Sequence, residues 1–311
     1  MIEIKIISDL EEAKKLWNLL SPEETIYDLW DFRYCFYKYE NYRLKFITAY
    51  DNNEAVALLP LQYSERDECL EYFAEEFMEE SRPFVKDGYE YLIADLYSKI
   101  DEKTKLFDIS ENSESDEFTK NLPLEDYKYF LPLINFKSFD DFLNERLNAK
   151  RRRSLVKEIR EVAEKETSVE IIKAGDGKNK EELDRDIELL FKFNFGSFAE
   201  ESYLLKTSEQ DAHRDLLYLN FNWRLAIVSV NGQKEALAFS ILHKNTWFYL
   251  VTGVNFKSIP GLGKFMVKVN IEEALKNNFK FFDIGLGDCG WKHLWHFDKK
   301  IQHVFVQEEK K

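Results

Sequence analysis

The chain is poor in cysteine, in positive charge and in long apolar runs. Its three cysteines, Cys35, Cys69 and Cys289, are odd in number and scattered, which fits neither a disulfide framework nor a zinc cluster. Lysine and arginine number 44 against 58 aspartates and glutamates, a formal net charge of −14. Broad affinity for nucleic acid needs a positive surface that displaces counterions, so this balance argues against it. No apolar run approaches the ~18 residues that a membrane-spanning helix needs. The first residues, MIEIKIISDLEEAKK, alternate like a strand and show no signal-peptide apolar segment. No His/Asp/Glu spacing suggests a metal. The expectation is a cytoplasmic protein with no metal site and no membrane span.

What is present is a core. Of 311 residues, 44% are hydrophobic and 15% aromatic, enough for one large domain or two. Ile2–Ile7 reads as a strand, with Ser8-Asp9 capping a helix to Leu20. Tyr27–Tyr39 reads as an aromatic helix, followed by strands at Leu44–Tyr50 and Ala55–Leu61 around an Asp51-Asn52-Asn53 turn. Ser110–Glu117 is a polar, acidic linker. Ala149–Lys165 is a strongly charged helix, and Glu181–Phe195 is a helix that ends at an Asn194-Phe195-Gly196-Ser197 break. Three strands follow, with a hairpin signal at Asn231-Gly232. One order of elements appears twice: helices, a three-strand meander, a loop, a helix and a strand. The expected division is 1–120 and 121–311.

The second half carries the richest stretch, Thr252–Trp295. Pro260, Gly261, Gly263 and Lys264 form a turn that opens an amphipathic helix, with Leu262, Phe265, Met266 and Val269 on its apolar face. Unpaired N–H groups and the positive dipole end at such a start suit a phosphate or pyrophosphate. Phe281, Phe282 and Ile284 make a short buried strand, broken by Gly285, Gly287 and Gly290. Taken alone, each motif also reads as a plain helix start or a plain loop.

Together these pieces resemble the GNAT acyltransferase fold, an α/β (α+β) class of mixed, mainly antiparallel sheet flanked by helices. Its usual pyrophosphate signature is Arg/Gln-x-x-Gly-x-Gly/Ala, and Ser258-Ile259-Pro260-Gly261-Leu262-Gly263 matches both glycines but not the Arg/Gln. More specifically the chain resembles the CelD-type (BioF2-like) acetyltransferase domain, related to the Fem-type aminoacyl transferases with tandem GNAT-like halves. The segments LNAKRRRSLVKEIREVAE, SIPG, FFDIGLGDCGWKHLW and the early ALLPLQY carry this likeness in order. Trp291 stands where that family commonly has Tyr, and Ile284 where it often has Phe.

The resemblance implies a degenerate first half and a second half that holds an acyl-CoA. It implies transfer of an acetyl group from acetyl-CoA to an amine on a small molecule, sugar or peptide, by direct attack. The donor would rest on Pro260, Gly261, Leu262, Gly263 and Lys264, with Lys257 lending charge and Val251, Thr252 and Gly253 beside its arm. The Fem likeness makes Lys292 the candidate cation near the reacting carbonyl. Its other reading is an ordinary surface lysine.

Asp283, between Phe282 and Ile284, reads as a base or as an acceptor for loop amides, and Asp288 as a second candidate base. Tyr249 reads as a general acid or a core aromatic. Arg151, Arg152 and Arg153 contrast with the acidic whole and can hold an anionic substrate or form a solvated face. Cys289 lacks a base partner, and His243, His293 and His296 read as structural. Two rivals remain: aminoacyl transfer from tRNA, and a binding protein that keeps the fold without catalysis. Exposed aromatics in the first half are compatible with a homodimer.

Overall fold

The computed structural model describes every residue except 41, 200, 201, 257, 258, 310 and 311. The described residues cluster in two compact units, Met1–Lys128 with Lys300–Lys311, and Tyr129–Lys299.

In the first unit, β1 (Ile2–Ile7) leads into α1 (Leu10–Leu20) and α2 (Trp30–Tyr37). Asp9 caps α1 by accepting from the Glu12 N–H at 2.9 Å, and Ala13, Leu16, Trp17 and Leu20 form its buried face. The single aromatic helix expected over Tyr27–Tyr39 is instead a 3₁₀ turn at Ile26–Asp28 followed by α2. Then come β2 (Tyr42–Asp51), β3 (Glu54–Ser64), β4 (Cys69–Tyr72), β5 (Phe84–Val85), α3 (Leu92–Ser98), β6 (Thr104–Ile109), α4 (Glu117–Lys120) and the first part of β7 (Leu124–Pro132), which continues into the second unit. Asn52 and Asn53 turn β2 into β3 with φ of 47° and 67°, left-handed values that asparagine tolerates. Trp17 anchors one core, with Trp30, Phe46, Phe73 and Phe84 at ring distances of 5.9, 6.2, 5.7 and 4.7 Å. Removing such a buried aromatic costs about 3–5 kcal/mol.

Strands β1, β2, β3 and β4 pair antiparallel in order, and β6 then joins β4 in parallel. That parallel register consists of one pair, Leu70 with Thr104. Beyond it the buried carboxylate of Glu75 links the two strands. Its Oε2 accepts from the Tyr72 N–H of β4 and its Oε1 from the Phe107 N–H of β6, both at 2.6 Å. Arg33 of α2 donates nearby to the carbonyls of Tyr27, Phe73 and Glu80. Burial pulls the Arg33 guanidinium down to about 10, against the pull of Asp28 and Glu75.

In the second unit, α5 (Phe139–Arg146) and α6 (Ala149–Ala163) precede β8 (Thr167–Lys173), α7 (Lys180–Phe198) and α8 (Thr207–Tyr218). Then follow β9 (Asn222–Val230), β10 (Gln233–His243), β11 (Thr246–Val254), α9 (Leu262–Lys276) and β12 (Phe281–Leu286). Strands β8 to β11 pair antiparallel in order and β12 joins β11 in parallel, the order of the first unit repeated. Asn231 and Gly232 turn β9 into β10 with φ of 51° and 75°. The closing strand, β13 (Asp298–Gln307), pairs antiparallel with β6 from His303 onward.

Two further local expectations differ from the structure. Helix α7 runs through Asn194–Ser197 to Phe198, because its buried face of Leu183, Ile187, Leu190 and Phe191 continues at Asn194 and outweighs the helix penalty of Gly196. Strand β12 likewise runs through Gly285, whose φ of 83° bends the strand without ending it.

Asp108 generates a pH prediction. Burial, then Glu125 and Glu79, push its carboxyl up to about 8, and Glu75 and Glu125 are pushed in the same direction. A folded value above the ordinary carboxylate range means the native state holds a proton the unfolded chain has lost. Stability is therefore fully present below about pH 4 and falls as pH rises toward 8. Asp108→Asn keeps a residue that tolerates its φ of 52° and removes the charge. Urea titrations at pH 5 and pH 8.5 should show a smaller loss across this interval in the variant than in the wild type. An equal loss in both would refute it. Glu75→Ala, which strands two buried amides, should cost about 2–5 kcal/mol in the same assay.

Candidate functional site

The second unit's parallel pair sets the geometry. β11 and β12 are in register over Thr246–Phe281, Trp247–Phe282 and Phe248–Asp283. Strand β11 then continues to Val254 and β12 to Leu286. The register of β10 with β11 slips between Phe239–Val251 and Ser240–Tyr249, so Leu250 is a bulge residue two positions beyond the last parallel pair of β11 with β12.

Past the bulge, α7 presses on β11. A Cβ on Gly253 would lie 2.3 Å from the Leu190 carbonyl oxygen and 2.9 Å from the Asn194 nitrogen, so only glycine admits the helix. Asn194 Nδ2 donates to the Thr252 carbonyl at 2.8 Å, and Ser197 Oγ to the Val254 carbonyl at 3.2 Å. Ser202 Oγ donates to Asn194 Oδ1 at 2.7 Å and fixes the amide's orientation. Val251 is buried beside them. Asn194 and Ser197 lie where the sequence pattern predicts a helix break and assigns no function. Their signal was a pair of polar residues in line with an apolar helical face.

The turn before α9 lies at the end of β11. Lys257 falls outside the described residues. Pro260 is exposed, Leu262 is buried, and Gly261 caps the helix with a φ of 85°. The neighbour that meets this turn is α6. A Cβ on Gly261 would lie 2.8 Å from the Glu158 carbonyl oxygen, and the Glu158 carboxylate pairs with Lys264 Nζ. Gly263 differs: among the described residues a Cβ there meets the Phe256 ring at 3.8 Å and Val254 at 3.9 Å, ordinary contact distances. Arg151, Arg152 and Arg153 lie on the same helix as Glu158, five to seven residues earlier, roughly 8–10 Å along its axis. Arg152 donates to Asn144 Oδ1 at 2.6 Å and Arg153 to the Ala149 carbonyl at 3.2 Å. Arg151 Nε is buried without a hydrogen-bond partner among the described residues.

A second group gathers at the end of β12. Asp283 is buried and accepts from the Gly285 N–H at 2.9 Å. Lys292 is 5% exposed and donates to the carbonyls of Gly285 at 2.9 Å and Leu286 at 2.5 Å. Its ammonium lies 5.6 Å from the ring of Tyr129, which also faces Lys299 at 5.3 Å. Asp288 accepts from the His293 backbone N–H at 2.6 Å and pairs with His293 Nδ1 at 2.5 Å. Burial pushes the Asp288 carboxyl up, but these bonds outweigh it and hold it below its ordinary value.

Tyr249 packs on Phe282 at 5.6 Å beside the Thr252 hydroxyl, and burial pushes its phenol well above its ordinary range. Trp291 meets Trp295 and Phe297 at 6.0 and 6.2 Å, an aromatic cluster that supports the loop. Cys289 is exposed. Tyr129 and the Asp288–His293 pair are arrangements that sequence spacing did not disclose.

The two glycines of the turn predict opposite behaviour. Gly261→Ala forces both a left-handed φ and a backbone collision, and should lower stability by about 2 kcal/mol or more. Gly263→Ala lies within the helix with room for its methyl and should be neutral or stabilising by about 0.5 kcal/mol. Thermal melts of the two variants decide this. Equal melting temperatures would disprove the contact with α6.

Residues 149–293 match the family described as acetyltransferase (GNAT) domain. No curated protein matches the chain in sequence. Solved structures match its fold at low identity. FemX is 12% identical, covers 98% of this chain and 96% of its own, and gives a TM-score of 0.60. L-PGS from Bacillus licheniformis is 10% identical, with coverage of 98% and 93% and a TM-score of 0.61. A tandem GNAT protein from the clavulanic acid biosynthesis pathway is 9% identical, covers 100% of both chains and gives 0.52. Residues 149–293 are thus similar to an acetyltransferase (GNAT) domain, within an α/β fold that the chain shares with FemX and a tandem GNAT protein.

Proposed function

We propose that the chain is a cytoplasmic acyltransferase that moves an acetyl group from acetyl-CoA to an amine by direct attack. The observation that carries this reading is the parallel pair β11–β12, in register over three residue pairs and then continuing separately beside the glycine turn of α9. Strands that diverge at a bulge present backbone N–H groups to a thioester arm. The first turn of α9, with Gly263 open and Lys264 charged, suits the donor's diphosphate. In this reading residues 121–311 hold the donor. Residues 1–120 form a degenerate counterpart whose equivalent space is taken by Glu75.

The chemistry asks little of the protein beyond placement. The neutral amine forms the new C–N bond as the thioester C–S bond breaks. The amine's proton passes to a base, and the thiolate leaves and takes up a proton. Backbone N–H groups of Val251 to Gly253 stabilise the oxyanion. His293, oriented by Asp288, is the imidazole suited to receive the proton. Lys292 and Asp283 hold the end of β12 and its loop in shape, and Tyr249 keeps its proton at neutral pH. Arg152 and Arg153 are available to an anionic acceptor.

A second reading, aminoacyl transfer from tRNA, is favoured by one feature: the Glu158 carboxylate stands against the turn where a diphosphate would bind. The net charge of −14 weighs against it.

Calorimetric titration with acetyl-CoA and CoA tests the first reading. Micromolar binding at one site per chain is expected. Gly263→Asp, which adds a carboxylate without a backbone collision, should weaken it at least tenfold while the protein stays folded. Two sites per chain would contradict the degenerate first half. No binding by the folded wild type would sink the donor assignment, and retention of aminoacyl-tRNA would then favour the second reading.

A further inference from the structure

The start of α9 is a source of positive field, yet here a carboxylate of the same chain pairs with the lysine of its first turn. Glu158 comes from the third turn of α6, whose backbone approaches Gly261 so closely that its carbonyl oxygen would lie 2.8 Å from an added Cβ. The approach fixes where the side chain goes. Its Oε2 pairs with Lys264 Nζ, and its Oε1 accepts from Ser154 Oγ at 3.4 Å. Lys264 is the third residue of α9 and the charged side chain of the turn's described part. Both partners keep about a third of their side-chain surface in contact with solvent, 34% for Lys264 and 32% for Glu158.

A carboxylate held at a helix N-terminus is itself a bound anion. It lowers the potential that an incoming phosphate would feel and occupies the cation that would pair with it. An ion pair this exposed contributes only about 0–1 kcal/mol, so an anion of higher charge can displace it. Lys264 then exchanges one oxyanion for another without a change of fold, because the Gly261–α6 contact is made by backbone and does not depend on the Glu158 side chain.

We propose that Glu158 is an internal competitor for the donor's diphosphate, and that exchange of Lys264 from Glu158 to that group sets the affinity of the turn. The proposal rests on the donor reading above. It gives α6 a specificity role distinct from that of Arg151–Arg153. A donor with two adjacent phosphates can displace the carboxylate, whereas a monoanionic ligand gains nothing by replacing one single charge with another.

The test is titration of CoA and of inorganic pyrophosphate into wild type, Glu158→Gln, Lys264→Ala and the double variant, with thermal melts to verify folding. Glutamine keeps the side-chain length and removes the charge. Glu158→Gln should bind CoA roughly three- to tenfold more tightly than wild type, and Lys264→Ala more weakly by a similar factor. The gain from Glu158→Gln should shrink when Lys264 is already alanine, and should narrow in 0.5 M salt, where the screening length falls to about 4 Å. If wild type binds CoA but Glu158→Gln binds no better, the competitor role is wrong and the donor reading stands. If neither wild type nor Glu158→Gln binds CoA or pyrophosphate, both fall together.

Discussion

A parallel strand pair that separates after a few residues leaves backbone donors and acceptors that must be satisfied by something other than a ladder. Both units of this chain are built around that constraint, and they meet it differently. In the first, Glu75 bonds the Tyr72 and Phe107 amides with one carboxylate, and Arg33 takes the nearby carbonyls. In the second, α7 supplies Asn194 and Ser197 to β11, while Lys292 supplies its ammonium to the end of β12. The first arrangement joins the two strands through one buried side chain. The second supports each strand separately, which is the condition for a substrate arm to bind between them.

The same constraint explains the placement of glycine. Gly253 lets α7 come close enough for Asn194 to reach the Thr252 carbonyl. Gly261 lets α6 settle on the start of α9, which brings Glu158 to Lys264. Both positions would be read as ligand-facing from sequence, and both are occupied by protein backbone. Gly263 is the glycine of the turn that meets no close neighbour among the described residues, so packing constrains Gly261 and not Gly263.

Much of the frame was legible. Asp9 before an amphipathic run, and Asn52-Asn53 and Asn231-Gly232 between strands, are local signals whose physics does not depend on the rest of the chain. The duplicated order of elements was legible for the same reason. Where the reading missed, a long-range contact had overruled a local preference. Gly196 should weaken a helix, yet α7 passes through it because Asn194 and Ser197 are needed on β11. The short strand β8, which the periodicity did not reveal, exists because β9 offers it a ladder from Thr167 to Lys173.

The sequence by itself determined the class of fold, the glycine turn that opens a helix, and the polar residues from which any chemistry must be drawn. Those follow from backbone preference and side-chain period, which act over a few residues. Tertiary structure decided which groups meet. It paired Asp288 with His293, buried Lys292 against two carbonyls, and brought Glu158 rather than Arg151–Arg153 to the turn. It also closed one strand gap with Glu75, 32 residues before its partner Phe107. The Asp288 and Lys292 pairings are set by the local path of the loop after β12, whereas the Glu158 and Glu75 pairings join segments 106 and 32 residues apart, which no pattern within a short window encodes.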